Sequence, residues 1–254
     1  MLATEARGPI TILRLRQGKA NAMDVELLRE LEAAFAGETK SASRAVILAA
    51  DGPMFSAGLD LKQLADGGPE YTRKLLPALH DALRAAFTFL KPLVAALNGH
   101  ALAGGCVLAA AADARIMARG PFRIGVTEIL VGMPFPPAAL GLMRHVCSPT
   151  VLQEVALTGR TWGPDEALSR GLLDEVVEPA ALFDRALERA NAFAAVPARA
   201  FALTKRQLRS ATLEKIDRDQ EELGAQILEA WCAPEVGAAV KAYVDKTLRK
   251  PGKP

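Results

Sequence analysis

The sequence predicts an α/β fold, and three observations carry that expectation. Short apolar runs closed by glycine or proline turns alternate with helical patterns as far as about residue 178. The early beat is strand–strand–helix rather than strand–helix. From about residue 179 to Leu248 only helical patterns remain. The expected organisation is a mixed core over residues 1–178 and a helical region over residues 179–254.

Each element has a local reason. Ile10 to Arg16 alternates roughly and reads as a strand running into the polar loop Gln17 to Ala22. Asp24 is placed to cap a helix to about Phe35, with Val25, Leu28, Leu31 and Phe35 at helical spacing. Arg44 to Ala50 is a buried strand ended by Asp51-Gly52-Pro53. Met54 to Leu64 is a short strand, a glycine turn and a helical start. Gly67-Gly68-Pro69 is expected to break the chain, with Pro69 opening a new helix that carries Leu75, Leu79, Leu83 and Leu90. Pro77 inside that helix is expected to kink or interrupt it. Leu93 to Leu97 is a strand between Pro92 and Asn98-Gly99. His100 to Gly105 reads as a loop, Cys106 to Ala112 as a buried helix of small residues ended by Asp113, and Arg115 to Ala118 as extended. Pro136-Pro137 opens a helix to about Val146, and Ser148-Pro149 caps another that ends at Gly159. Pro164 to Arg170 is a short helix stopped by Gly171, and Leu173 to Val177 a short strand. Helices over roughly 180–195, 198–210, 212–231 and 235–249 complete the chain. Ile227, Trp231, Val236, Val240 and Tyr243 give this tail an apolar stripe that must pack on the body or on another subunit; the body is the expected partner.

Composition narrows the function. The chain has 254 residues, 50 % hydrophobic and 24 % charged, enough for one large core or two modest ones. Lys plus Arg number 31 and Asp plus Glu 29, so the net charge of +2 gives no case for nucleic acid or an anionic membrane. No apolar run approaches the roughly 20 residues that span a bilayer. The start, MLATEARGPI, lacks the pattern of a signal peptide, and the expected compartment is the cytoplasm. Cys106, Cys147 and Cys232 are odd in number, far apart and without a CxxC, which fits reduced thiols. His80, His100 and His145 have no metal-ligand spacing, so no metal is expected.

Two glycine turns repeat one pattern: Phe55-Ser56-Ala57-Gly58-Leu59-Asp60 and Asn98-Gly99-His100-Ala101-Leu102-Ala103-Gly104-Gly105. Each follows a buried strand and precedes a helix. Such a pair is either two tight turns or two sets of unpaired N–H groups that converge on one carbonyl oxygen. Ser56 has no Gly-x-Ser-x-Gly elbow around it, so a serine hydrolase is not expected. Neither GxGxxG nor GxxxxGK[ST] occurs. Glu128 stands alone among Ile124, Val126, Ile129, Leu130 and Val131. A lone acid in an apolar segment is costly unless paired or functional, and burial raises its pKa toward the range useful for proton transfer.

FSAGLDLKQL, KPLVAALNGHALAGGCVLAAAADARIMA and FRIGVTEILVGMPFP together resemble the crotonase family, which includes enoyl-CoA hydratases and isomerases. The resemblance runs from about Ile10 to the C-terminal AYVDK. It implies a spiral core of strand–strand–helix turns, a C-terminal helical region used in trimerisation, and an acyl-CoA thioester ligand, with no other cofactor. It implies a homotrimer or a dimer of trimers. Leu59 and Gly104 match the positions whose N–H groups form the family's oxyanion hole. Ala57, Asp60 and Lys62 fall in the segment that lines the nucleotide part of coenzyme A; Lys62 also reads as a solvated lysine at a helix start. Gly58, Gly105 and Val107 stand beside the oxyanion positions and are expected to contact the substrate together with Ala57, Asp60 and Lys62. Tyr243 and Lys246 match a tail motif, but Thr247 stands where the family has arginine, so the lysine–arginine pair of that motif is incomplete.

Glu128 matches the family's second acidic residue. The first, just after Gly-Gly-Cys in typical hydratases, is here Val107. Hydration is helped by two carboxylates; moving a proton from C2 to C4 needs one base that returns what it took. The expected activity is 3-enoyl-CoA to 2-enoyl-CoA isomerisation with Glu128 as single acid/base. Hydration with one carboxylate is the alternative, followed by a thioesterase, a decarboxylase or a non-catalytic binder on the same scaffold. Pro136, eight residues after Glu128, stands where the family's dienoyl isomerases carry aspartate. Phe135, within Met133-Pro134-Phe135-Pro136-Pro137, is expected to wall the acyl pocket.

Overall fold

The computed structural model describes residues 1–247. Among the described residues, ten strands fall into two sheets. The first runs β1 (Leu2–Arg7), β2 (Ile10–Leu15), β3 (Ala45–Ala50), β5 (Leu93–Leu97), β7 (Ala114–Ala118) and β10 (Glu175–Val177). The second runs β4 (Met54–Ser56), β6 (His100–Leu102), β8 (Ile124–Gly125) and β9 (Thr161–Trp162). Consecutive strands alternate between the sheets: β3 then β4, β5 then β6, β7 then β8. Helices α2 (Leu61–Thr88) and α3 (Gly104–Ala110) close the first two turns. Each turn lies one strand along from the last, and β3, β5 and β7, like β4, β6 and β8, are parallel. This is the spiral of strand–strand–helix turns that the family resemblance implies.

Parallel strands must be covered on both faces, and these are. On β3, Ala45, Ile47 and Ala49 face α7 (Leu182–Ala195), where Ala186, Ala190 and Ala194 allow close approach. Val46, Leu48 and Ala50 face the larger core with α1 (Val25–Lys40) and α2. Asp24 caps α1 through Oδ1, which accepts from Leu27 N at 2.8 Å. The helix runs past Phe35 to Lys40 because nothing in Ala36–Thr39 stops it.

The structure corrects several boundaries. β1, an exposed edge strand paired antiparallel with β2, is not legible in LATEAR. His100 to Gly105 is not all loop: His100–Leu102 pairs as β6, and α3 starts at Gly104 and ends at Ala110. The break at Gly67-Gly68-Pro69 is a kink at Gly68 (φ 55°, ψ −149°), after which the chain turns helical again. Pro77 leaves helical dihedrals intact. It lies on an exposed face, where water can take the carbonyl that its missing N–H frees. The helices expected over 198–210 and 212–231 are one, α8 (Ala198–Trp231). The last helix, α9, is described over Pro234–Thr247; its expected end at 249 lies outside the described residues.

The tail is tied to the body by a buried ion pair cluster. Asp113, in the connection between α3 and β7, accepts from Lys205 Nζ at 2.6 Å and Arg209 Nη2 at 2.7 Å. It also accepts from Leu93 N at 2.8 Å, while Lys205 and Arg209 donate to the carbonyls of Lys91 and Phe87. Further along, Trp231, Val236, Val240 and Val244 join the main core, so the apolar stripe packs on the body. Tyr243 is left exposed.

Removing Asp113 strands two buried cations. Asp113→Ala is expected to lower unfolding free energy by about 3–5 kcal/mol, read from urea midpoints. A loss below about 1 kcal/mol contradicts this role.

Candidate active site

The second sheet builds the site. Its strands β4, β6 and β8 are parallel neighbours, so their C-terminal ends lie side by side. In parallel α/β sheets this edge is where ligands bind. Two residues past β4 lies Gly58, two past β6 lies Gly104, and three past β8 lies Glu128. The spiral thereby brings together residues that are far apart in the chain.

The two glycine turns abut. A Cβ built on Gly104 would stand 3.8 Å from Leu59 N, and one built on Gly58 would stand 3.0 Å from Gly104 N. The Leu59 and Gly104 amides therefore border one small space. Among the described residues no hydrogen bond occupies either N–H. Two backbone features aim them. Met23 pairs with Leu59: Met23 N donates to Gly58 O at 2.7 Å and Asp60 N to Met23 O at 2.9 Å. These bonds turn Gly58 O and Asp60 N toward Met23, so the Leu59 N–H, trans to Gly58 O in the same peptide unit, points away from Met23. Ala103 is held at φ 50°, ψ −128°, a conformation that costs a non-glycine residue about 1–3 kcal/mol. Ala103 N is held in turn by Gly125 O at 2.9 Å. Gly58 has φ 91°, and a Cβ there would meet Ala103 Cβ at 2.7 Å, so only glycine serves.

Glu128 opens a short 3-10 turn, Glu128–Val131, and is 8 % exposed. Its Oε2 is buried without a hydrogen-bond partner. Burial pushes its pKa from 4.5 up to about 7, against the opposing pull of the Glu128 and Thr127 backbone amides. A carboxyl group in this state is poised to exchange a proton near neutral pH. Glu128 lies close enough to the buried Cys106 to raise its thiol, which burial already holds well above its ordinary range. Cys106 is thus protonated and inert. Val107, fully buried in the first turn of α3, brings no polar atom to the position beside it.

The remaining expected residues are placed as follows. Gly105 is packed against Ser56, with no room for a Cβ. Ala57 and Asp60 border the Gly58 turn, and Asp60 caps α2 by accepting from the amides of Lys62 and Gln63. The Lys62 side chain is exposed, as is that of Lys246 at the far end of α9. Phe135 is half-buried next to Pro134, whose carbonyl accepts from Trp231 Nε1 at 2.8 Å. α9 packs on α2 and on the Glu128 turn, with Val236 Cγ2 3.7 Å from where a Cβ on Gly132 would stand. The chain's own tail therefore covers this side of the site. His100 is a structural residue: Nδ1 accepts from Arg123 N at 3.1 Å and its ring meets Phe122 edge-on. Among the described residues no three His, Cys, Asp or Glu side chains gather as a metal site. Sequence reasoning missed Met23, whose methyl approaches Gly104, and the tethers around Ser56; neither has a local signature.

Residues 5–251 match the model of the family described as enoyl-CoA hydratase/isomerase. The chain belongs to the enoyl-CoA hydratase/isomerase family. A mouse protein named enoyl-CoA delta isomerase 1, mitochondrial, is 28 % identical over 99 % of this chain and 88 % of its own length. A Mycobacterium avium protein named probable enoyl-CoA hydratase echA17 is 34 % identical over 77 % of this chain and 76 % of its own. Among solved structures, human mitochondrial delta3-delta2-enoyl-CoA isomerase superposes with a TM-score of 0.90 at 25 % identity, covering 96 % of this chain and 97 % of that one.

The buried acid makes a stability prediction. Because the folded pKa of Glu128 is raised, its contribution to stability is fully present below about pH 4.5 and is lost as pH rises toward 7. Glu128→Gln is expected to be more stable than the parent above pH 7, by up to roughly 3 kcal/mol, with the gap closing toward pH 5. Urea unfolding at pH 5 and pH 8 measures this; a variant equally or less stable at pH 8 refutes the burial cost.

Proposed function

We propose that this enzyme converts 3-enoyl-CoA to 2-enoyl-CoA. The single observation that carries the reading is Glu128 buried with an unpartnered Oε2 while Val107 fills the position of a second acid. The thioester carbonyl sits against the N–H groups of Leu59 and Gly104. Glu128 in its carboxylate form removes a proton from C2. The negative charge moves onto the thioester oxygen, where two amide donors in a water-poor site stabilise it. The electron pair then re-forms the C1–O double bond as C4 takes the proton back from the Glu128 carboxyl, and the double bond lies between C2 and C3. Atoms and charge balance with one base and no water.

Ala57, Gly58, Asp60 and Gly105 line the way to the thioester in this reading, Lys62 stands where a coenzyme A phosphate would reach, and Phe135 walls the acyl chain. Coenzyme A is part of the substrate, and the reaction asks for no further cofactor. The similarity to the delta isomerases supports the choice of reaction. The relatives named hydratases favour addition of water to a 2-enoyl-CoA as the second reading, for which Glu128 would have to orient and activate the water alone.

Two further features belong to the proposal. The enzyme assembles as a homotrimer or a dimer of trimers. Leu208 of α8, 69 % exposed, with Val196 and Phe201, lines an open groove of about 510 Å³ away from Glu128, a surface that another subunit would cover. Light scattering at the monomer mass of 27.0 kDa would contradict it. Its compartment is the cytoplasm, in keeping with three unpaired cysteines, two of them buried.

A matched pair of 3-enoyl-CoA and 2-enoyl-CoA of equal chain length tests the reaction. Isomerisation is expected to exceed hydration by at least about a hundredfold and to fall by on the order of 10³ or more in Glu128→Gln. Its kcat/KM is expected to rise with pH and level off above about 7, as Glu128 becomes the carboxylate that accepts the proton. Faster hydration than isomerisation, or full activity in Glu128→Gln, overturns the reading.

A further inference from the structure

Ser56 is fully buried between the two glycine turns and serves both. Its Oγ donates to Asn21 O at 2.8 Å and accepts from Gly58 N at 3.1 Å. On its other side it is pressed against α3: a Cβ on Gly105 would stand 2.7 Å from Ser56 Cβ and 3.0 Å from Ser56 Oγ. One hydroxyl therefore fixes the turn that presents Leu59 N–H and sets its spacing from the turn that presents Gly104 N–H.

Asn21 anchors that hydroxyl. It is fully buried and held at φ 45°, a strained conformation for a non-glycine residue. Its Nδ2 donates to Asp51 O at 2.8 Å and Met54 O at 3.0 Å, at the two ends of the β3–β4 connection, and its Oδ1 accepts from Gln17 N at 2.8 Å. Ala57 N donates to Ala20 O at 2.9 Å, so the loop before α1 grips the turn on either side of Ser56. Neither side chain faces the space between the two amides. Neither supplies or takes a proton in the reaction.

We infer that Ser56 and Asn21 are positioning residues of the oxyanion site: they hold the Leu59 N–H at the distance and direction at which it and Gly104 N–H address one oxygen. The inference rests on the proposed role of these two amides. A misplacement of about 1 Å in such a site costs on the order of a hundredfold in rate. Loss of an entire donor costs about 10²–10³. Ser56→Ala keeps the space open and removes both bonds.

The test uses the full chain and a probe that does not depend on which reaction the enzyme performs. The thioester carbonyl stretch of a bound saturated acyl-CoA, such as hexanoyl-CoA, is read by difference Raman spectroscopy, alongside kcat and KM on a 3-enoyl-CoA. The parent is expected to shift the carbonyl to lower frequency. Ser56→Ala is expected to lose at least half of that shift and to drop kcat by roughly ten- to a hundredfold, with KM within about threefold and the fold retained. Asn21→Gly, which accepts the positive φ but removes the side-chain tethers, is expected to move both readouts the same way and by less. It carries the test if Ser56→Ala does not fold. Ser56→Cys, with a weaker donor and acceptor, is expected to fall between serine and alanine. A full carbonyl shift and unchanged kcat in Ser56→Ala or Asn21→Gly overturn the positioning role while leaving the oxyanion site intact. No shift in the parent overturns the oxyanion site itself, and the inference with it.

Discussion

Holding one carboxyl oxygen out of water with nothing to bond to is the constraint on which the rest of this structure depends. Glu128 Oε2 is buried and unpartnered, and the loss of hydration outweighs two backbone hydrogen bonds to the carboxyl group and lifts its pKa to about 7. An isolated charge in that setting is disfavoured, so the group is either protonated or waiting for a substrate that exchanges a proton with it. The surrounding fold must keep water away from one side and admit a ligand from the other. The 3-10 turn that carries Glu128, the helix of small residues bearing Cys106 and Val107, and the chain's own α9 together form that dry wall.

A dry carboxylate is chemically useful only beside a place for the electrons it displaces. The spiral supplies this through connectivity rather than through any local motif. Because β4, β6 and β8 are neighbours, two glycine turns and one acid arrive at the same edge although they are spread over more than seventy residues of sequence. Among the described non-glycine residues, positive φ occurs only at Ala103 and Asn21, both beside these turns. Its strain is offset by packing of the turns on one another and by a rigid sheet behind them. The tail contributes from a distance: Asp113 binds Lys205 and Arg209 across 92 and 96 residues, which anchors α8 so that α9 can reach the Glu128 turn.

Much of this was legible in the sequence, and what was not has physical reasons. The glycine turns announced themselves, since few positions tolerate two backbones in contact, and Glu128 stood out as a charge among aliphatic residues. The strand–strand–helix beat was visible in the residue pattern, and the family resemblance of the three motifs supplied the spiral. Strands of two residues, β8 and β9, are too short to show a period, and edge strand β1 buries too little to need one. Pro77 misled because its cost depends on exposure, which the sequence does not display. α8 was split in two because Ser210 to Thr212 weakens the helical pattern without ending it. The partners of Asp113 and the tethers of Ser56 to Asn21 are contacts between distant residues, and no window of sequence contains them.

The single-carboxylate chemistry depends most directly on whether one buried acid carries the proton both ways. Isomerisation of a 3-enoyl-CoA labelled with deuterium at C2, run in ordinary water and stopped early, measures this in the position of the label. If Glu128 alone removes and returns the proton inside a dry pocket, a measurable share of the deuterium appears at C4 of the 2-enoyl product. Complete loss of the label to solvent, with none at C4 even at the earliest turnover, would mean that water reaches the carboxyl group between the two proton transfers or that another group delivers the proton, and would contradict return of the same proton by Glu128 in a dry pocket.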